Sequence, residues 1–327
     1  MKIERIIIRD LRALRERDDQ FLGPGGAPHT SICLRGLNGS GKTTYLEALA
    51  QLWHWFRLCT KKRAAAPGEP LLKESNLVAA LFSGLPGPEP RLWIGHGFGL
   101  DIKKYDHGAD TGAMFRNKCL EFWDRAFARA ETGLTPHDTP PNVVWIEAEN
   151  KYVPALSPDE LTSIRPAPAF VPVARYDPND RTTSHLEIVM RALFLARRDS
   201  WDILVKYIGE LRPGLVLLDQ FDEASQRPLF QLPSGAIIGV EHLSAGERSL
   251  LINLCMILRW LAPGGIVLLD EPELHQHVSL MRSSLAVIDR IIATEFNGQL
   301  IVASHAPEVW DHFRRTDAII DLGDPAA

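Results

Sequence analysis

The sequence predicts an α/β protein: a parallel sheet with helices on both faces, an antiparallel β lobe and a small helical lid. Three observations lead there. Short, almost wholly apolar runs at Ile266–Asp270 and Gln299–Ser304 alternate with helical patterns from about Gly246 to Trp260 and from about His277 to Thr294, as expected of a sheet buried on both faces. Near the other end of the chain an apolar run (Thr30–Arg35), a glycine-rich turn and a helical pattern (Lys42–Phe56) follow one another, a strand-turn-helix unit. Between these halves, Cys59 to Val173 is punctuated by proline and holds only short apolar segments, so it reads as an inserted, loop-rich lobe.

Taken in order, Lys2–Arg9 is rich in Ile and reads as a first strand. In the helix after the glycine turn, Tyr45, Leu46, Ala48, Leu49, Leu52 and Trp53 recur at helical spacing. Within the lobe, Arg91–Gly95 and Asn142–Ala148 read as strands, Ala113–Ala130 as a helix, and Phe170–Ala174 as the return to the core sheet. His185–Leu211 holds two helical patterns, the second with Asp199 or Ser200 as its expected cap. Arg227–Leu232 and Ala236–Val240 flank a Pro-Ser-Gly turn and read as a hairpin. The expected units are 1–58 and 214–327 for the two parts of the core, 59–173 for the lobe and 174–213 for the lid. No heptads run through the lid, and length and pattern exclude long coiled-coil arms.

Composition bounds the function. The 327 residues are 45% hydrophobic and 24% charged, ordinary for a globular protein and far from a disordered one. With 36 Lys+Arg against 41 Asp+Glu and a net charge of -5, no global basic field drives sequence-independent nucleic-acid binding. Cys33, Cys59, Cys119 and Cys255 are scattered without metal spacing, which fits a reducing cytoplasm. Met1–Asp10 lacks the pattern of a secretory signal, and the most apolar stretch, Leu250–Leu261, is interrupted by Asn253 and Arg259 and too short to span a membrane.

The chemistry-bearing residues begin with Gly36-Leu37-Asn38-Gly39-Ser40-Gly41-Lys42-Thr43, a phosphate-binding loop pattern. Glycines let backbone N–H groups approach phosphate oxygens, the following helix presents its positive end, Lys42 reaches the β and γ phosphates, and Thr43 ligates Mg²⁺. Asn38, Gly39, Ser40, Gly41, Lys42, Thr43 and Thr44 are the expected contacts to ATP. Such a loop needs a second carboxylate for the metal and a group to orient water; Asp270 and Glu271, ending an apolar strand, supply metal binding and water activation in that order. Ser244 and Glu247 have capping-box spacing, but a helix start offering Ser244 and Gly246 N–H groups is also a phosphate site. His305, at a strand end, reads either as a structural histidine or as a contact to the γ phosphate or attacking water.

In this order the motifs resemble the ATP-binding-cassette (ABC) ATPases: Gly36–Thr43 as Walker A, Leu243–Glu247 as the signature, Ile266–Glu271 as Walker B and His305 as the switch histidine. Asp270-Glu271-Pro272-Glu273-Leu274-His275 and Ser304-His305-Ala306-Pro307 look like the soluble branch that includes RecF, the OLD nucleases and PtuA. The resemblance covers the two ends of the chain and implies an Arg near the nucleotide at Arg12, in a segment similar to the branch's Asn-Phe-Arg-Gly-Ile. It also implies a head-to-tail homodimer with two sandwiched ATPs, each touched by Ser244 and Gly246 of the opposite subunit. The chain departs from the pattern at the signature, Ser-Ala-Gly-Glu, and at Leu274-His275-Gln276, where the branch has Leu-His-Pro. His275 and His277 with Glu273 could suggest a metal, but their spacing favours a structural or dimer-contact role. The Q-loop position falls at Arg175 or Tyr176, with Gln231 in the hairpin.

The expectation is an ATP-gated dimeric switch acting on a separately encoded effector in bacterial anti-phage defence. No nuclease unit of the Toprim kind is expected in this chain, which ends soon after His305. Two rivals stand beside it: a RecF-like DNA clamp using Arg9, Arg12, Arg15, Arg17, Lys61, Lys62 and Arg63, and a scaffold that holds ATP with little turnover.

Overall fold

A computed structural model describes residues 1–62, 70–87, 89–97, 117–133, 139–148, 152–154, 156–157, 168–180 and 183–323. Six parallel strands form the central sheet in the order β13 (Ile319–Asp321), β3 (Ser31–Arg35), β12 (Gln299–Ser304), β11 (Ile266–Asp270), β6 (Val143–Ile146) and β7 (Val173–Arg175). Alternate side chains of these strands enter two separate cores. Ile266 and Leu268 of β11, with Ile301 and Ala303 of β12, face one core; Val267, Leu269, Leu300 and Val302 face the other. The period of two in a wholly apolar run is the consequence of covering both faces.

On the first face lies α1 (Lys42–Lys62), sandwiched between the parallel sheet and an antiparallel sheet of order β2 (Leu14–Gln20), β1 (Lys2–Leu11), β4 (Leu77–Ser83) and β5 (Arg91–Gly97). Being covered on two sides explains why α1 buries Tyr45, Leu46, Leu49, Leu52, Trp53, Trp55 and Phe56 rather than a single stripe. The Trp53 ring meets those of Phe56, Phe82, Trp123 and Phe127, which brings in α3 (Asn117–Glu131) after the short α2 (Pro70–Glu74). The second face is covered by α4 (Leu186–Ala196), α5 (Arg198–Leu211), α6 (Ala245–Trp260) and α7 (Val278–Thr294), with α8 (Pro307–Arg314) beyond β12. A three-stranded antiparallel sheet, β8 (Val216–Phe221), β9 (Pro228–Gln231) and β10 (Ile237–Ile238), joins this core through Leu217 and Phe230.

Two buried amides tie these layers. Gln299, at the start of β12, accepts from the Ile3 N–H at 2.7 Å and donates to the carbonyls of Ile3 and His29 at 3.2 and 2.8 Å, fastening β1 to the central sheet. Asn142 donates to the Trp260 carbonyl at 2.7 Å and accepts from the Ala262 N–H at 2.9 Å, fixing the chain between α6 and β11.

Two expectations are revised. Within the stretch 59–173, read as an inserted lobe, the strand Val143–Ile146 belongs to the central sheet, pairing in parallel with β11, and β7 pairs with it in turn. Its place in the sheet comes from pairing with a strand far along the chain, while proline-rich flanks mark it locally as a lobe. Helix α5 starts at Arg198, with neither Asp199 nor Ser200 as cap; its N-cap, Arg197, makes no side-chain capping bond and is also the C-cap of α4. The one-residue connection makes Arg197 the cap and leaves Asp199 in the first turn of α5. The predicted helix over 113–130 is found from Asn117, its first residues lying outside the described ones.

Candidate functional site

The C-terminal ends of β3, β11 and β12 converge on one edge of the sheet, where α/β proteins gather ligand-binding groups. From β3 the chain enters the loop 36–41 and then α1. Gly39 and Gly41 take φ of 82° and 91°, in the left-handed region where only glycine is unstrained. At Gly41 a Cβ would stand 2.8 Å from Leu14 Cδ2, so the close approach of the β1–β2 turn also demands glycine.

The loop borders an open cavity of about 390 Å³ lined by Ala13, Asn38, Gly39, Gly41, Lys42, Thr43, Thr44 and Glu271. Lys42 is buried, its ammonium donating to the Gly36 and Leu37 carbonyls at 3.0 and 2.9 Å. Ser40 turns its hydroxyl toward Gly36 rather than into the cavity, and that buried Oγ has no hydrogen-bond partner among the described residues. Thr43 Oγ1 donates to Asp270 Oδ2 at 2.7 Å. These features fit a nucleotide phosphate chain with a divalent cation: a glycine cradle that a Cβ would fill, a lysine ready to exchange carbonyls for phosphate oxygens, and a paired hydroxyl and carboxylate. Among the described residues no group of three or more His, Cys, Asp or Glu could hold a metal. Mg²⁺ held by Thr43 and Asp270 would therefore take its other ligands from phosphate and water, its usual coordination habit.

Glu271 has φ 42°, and its N–H bonds the Ala303 carbonyl at 2.9 Å, continuing the β11–β12 ladder one residue past the strand. His305 Nδ1 stands 3.1 Å from Glu271 Oε1 and 3.5 Å from Glu273 Oε1. The predicted water-orienting pair is thus in hydrogen-bond contact. Glu273, which sequence reading treats only as a neighbour of the histidines, is drawn into the same cluster: its Oε1 accepts from Ser304 Oγ at 2.6 Å and from the His305 N–H at 3.3 Å. The only hint in the sequence is its place two residues after Glu271.

Arg12 is not among the residues lining the cavity. It has φ 51°, and its guanidinium hydrogen-bonds Glu74 at 2.8 Å and lies 3.5 Å from Glu47 of α1. Its neighbour Ala13 lines the cavity instead. Ser244 caps α6 in the full reciprocal box: its Oγ accepts from the Glu247 N–H at 3.3 Å, and Glu247 Oε2 accepts from the Ser244 N–H at 2.8 Å. Desolvation pushes the Glu247 carboxyl upward, but bonds from Ser244 and Arg212 outweigh it and hold it below the usual carboxylate range. Gly246 packs against the 271–277 loop so closely that a Cβ would lie 2.8 Å from the His275 carbonyl oxygen. Neither Ser244 nor Gly246 lines the cavity of its own chain.

His277 is the N-cap of α7, its ring accepting from the Ser279 N–H. Arg175 pairs with Glu147 at 2.7 Å and stacks over Trp145, while Tyr176 is buried and donates to the Tyr152 carbonyl. The basic residues near the amino terminus are interleaved with acids: Arg17 bonds Asp19 at 2.7 Å and Arg12 bonds Glu74. Arg63 lies outside the described residues. All four cysteines are buried, and burial pushes the Cys33 and Cys255 thiols upward, away from reactivity. No described helix is long and apolar enough to cross a membrane.

Residues 163–311 match the family described as "AAA domain, putative AbiEii toxin, Type IV TA system". Among solved structures, the chain is similar to an SMC head bound to the C-winged helix domain of ScpA, with TM-score 0.53 and 13% identity over 98% of this chain and 94% of that one. It also matches the SMC head domain from Thermotoga maritima, with TM-score 0.45 and 14% identity over 98% and 94% of the two chains. No curated protein matches it. At such identity the first likeness speaks for the fold, and the family match speaks for residues 163–311, which carry Ser244, Asp270, Glu271 and His305. With the phosphate loop in place beside them, the chain combines a P-loop with a fold similar to an SMC head, and residues 163–311 resemble an AAA domain.

Proposed function

We propose that the protein hydrolyses ATP as a nucleotide-gated dimeric switch. The observation that carries this reading is the meeting of Lys42, Thr43 and Glu271 around one cavity, with Asp270 bonded to Thr43 and His305 bonded to Glu271. Lys42 binds the β and γ phosphates in exchange for the Gly36 and Leu37 carbonyls, and Thr43 with Asp270 holds the cation. A Mg²⁺ held there would supply charge neutralisation for the phosphate oxygens. Glu271 accepts a proton from, or orients, the attacking water, and His305 holds the Glu271 carboxylate from its other side.

Two copies pack head to tail, so that Ser244 and Gly246 of one complete the site of the other. An α6 N-terminus that lies off its own chain's cavity, with exposed Ser244, supports this. ATP is then both substrate and interface, and its γ phosphate biases an open-closed equilibrium. The switch acts on a separately encoded effector in bacterial defence. The family's designation as a putative toxin of a toxin–antitoxin pair, and an SMC head solved with a domain of ScpA, support action through a partner. A DNA clamp draws less support, since Arg12 and Arg17 already have acidic partners.

The test is phosphate release from Mg·ATP by the wild type, Lys42→Ala and Glu271→Gln. Turnover by the wild type that is lost in both variants, with ATP binding kept only in Glu271→Gln, is expected. Equal turnover in all three would refute the reading.

A further inference from the structure

We propose that Glu273 is a positioning residue for His305, clamping the Ser304–His305 turn onto the loop that carries Glu271. This rests on the ATP-hydrolysing reading above. One carboxylate oxygen, Oε1, collects three groups: the Ser304 hydroxyl at 2.6 Å, the His305 N–H at 3.3 Å and His305 Nδ1 at 3.5 Å. The carboxylate is largely enclosed, with a side-chain exposure of 12%, and its Oε2 is buried without a hydrogen-bond partner among the described residues. Placing a carboxylate there is costly, and an acid needed only to satisfy one backbone N–H would not face a hydroxyl and an imidazole as well.

The turn is fastened from its other side too. Ser304 Oγ accepts from the Ala306 N–H at 3.0 Å, which directs its own hydrogen to Glu273, and Trp310 Nε1 donates to the Ser304 carbonyl at 3.2 Å. His305 Nδ1 therefore faces two carboxylates, Glu271 and Glu273, both acceptors. That arrangement puts the hydrogen on Nδ1 and leaves Nε2 of the neutral ring as the acceptor. Glu271 is the member of the pair that also serves the attacking water. Glu273, held by Ser304 and the His305 backbone, is the member of the pair that stays in place.

The experiment compares full-length wild type, Glu273→Gln, His305→Ala and the double variant. It measures kcat and KM for Mg·ATP hydrolysis, and reads the His305 ring by ¹⁵N–¹H NMR in the wild type and Glu273→Gln, with His305→Ala giving the assignment. Gln keeps the volume of Glu and can still accept from Ser304, so the turn should survive. Glu273→Gln should lower kcat by about 10- to 100-fold, leave KM within about twofold, and cost nothing further in the His305→Ala background. The Nδ1–H pattern of His305 should give way to a mixture of tautomers. An equal loss of kcat on top of His305→Ala would show that Glu273 acts independently of His305 and overturn the proposal. An unchanged kcat, or an unchanged tautomer, would overturn it as well. If the wild type does not hydrolyse ATP, the functional reading fails, while the NMR comparison still decides whether Glu273 sets the His305 ring.

Discussion

Thr43 Oγ1 donates a 2.7 Å hydrogen bond to Asp270 Oδ2 across an intervening strand, since β12 lies between β3, which leads to Thr43, and β11, which ends at Asp270. The bond closes one end of the phosphate loop against the far side of the sheet edge. It also places a neutral hydroxyl and a carboxylate, the two groups a phosphate-bound Mg²⁺ asks of the protein, in direct contact.

Breaking this pair should separate metal use from nucleotide binding. Asp270→Asn keeps an oxygen near Thr43 but removes the charge. It is expected to lower Mg²⁺-dependent phosphate release by about 100-fold or more, while metal-free ATP binding, measured by fluorescence of a nucleotide analogue, stays within about threefold.

Gly246→Ala tests the contact between the signature helix and the 271–277 loop. The added Cβ would meet the His275 carbonyl oxygen at 2.8 Å, and His275 is already held at φ 66°. Displacement of that loop should cost about 1–3 kcal/mol in urea unfolding and reduce turnover more than ATP binding. An unchanged turnover would mean that the loop shifts without consequence for Glu271.

Glu187 carries a pH signature. Burial pushes its carboxyl up to about 7, partly offset by Arg227 and reinforced by Glu241. An acid whose folded pKa is raised binds more protons when folded, so stability is greatest below the unfolded value near 4.5 and falls as pH rises toward 7. Glu187→Gln should therefore stabilise the protein at pH 8 by about 3 kcal/mol and have little effect at pH 4.5, as read by thermal unfolding across that range.

Gln299→Leu should destabilise the fold by about 2–4 kcal/mol, because it strands one N–H and two carbonyls that the amide now satisfies. Denaturant unfolding measures this directly.

Much of the site is legible in local pattern. Glycines at 36, 39 and 41 followed by Lys42-Thr43 have few uses other than holding phosphate, and the Ser244–Glu247 box needs only a spacing of three. The wholly apolar β11 and β12 declare a sheet covered on both faces. What local pattern does not carry is pairing between distant segments. Val-Val-Trp-Ile at 143–146 reads as a fragment of a proline-rich lobe because its partner, β11, lies on the far side of the helical pair and hairpin. Glu273 looks like a surface acid until Ser304 is brought to it, and Gln299 looks like an ordinary strand end until β1 arrives to use its amide. Arg12 shows the converse: the resemblance alone puts it at the nucleotide, whereas Glu74 and Glu47 hold it while Ala13 lines the cavity.

The central claim is that ATP closes two copies over a composite site and that hydrolysis opens them. Light scattering of the wild type and Glu271→Gln, with and without Mg·ATP and alongside phosphate release, tests it most directly. The account predicts that Glu271→Gln stops hydrolysis and accumulates an ATP-dependent dimer, while the wild type forms it only transiently. Hydrolysis by the wild type with no ATP-dependent change in mass for either protein would contradict it.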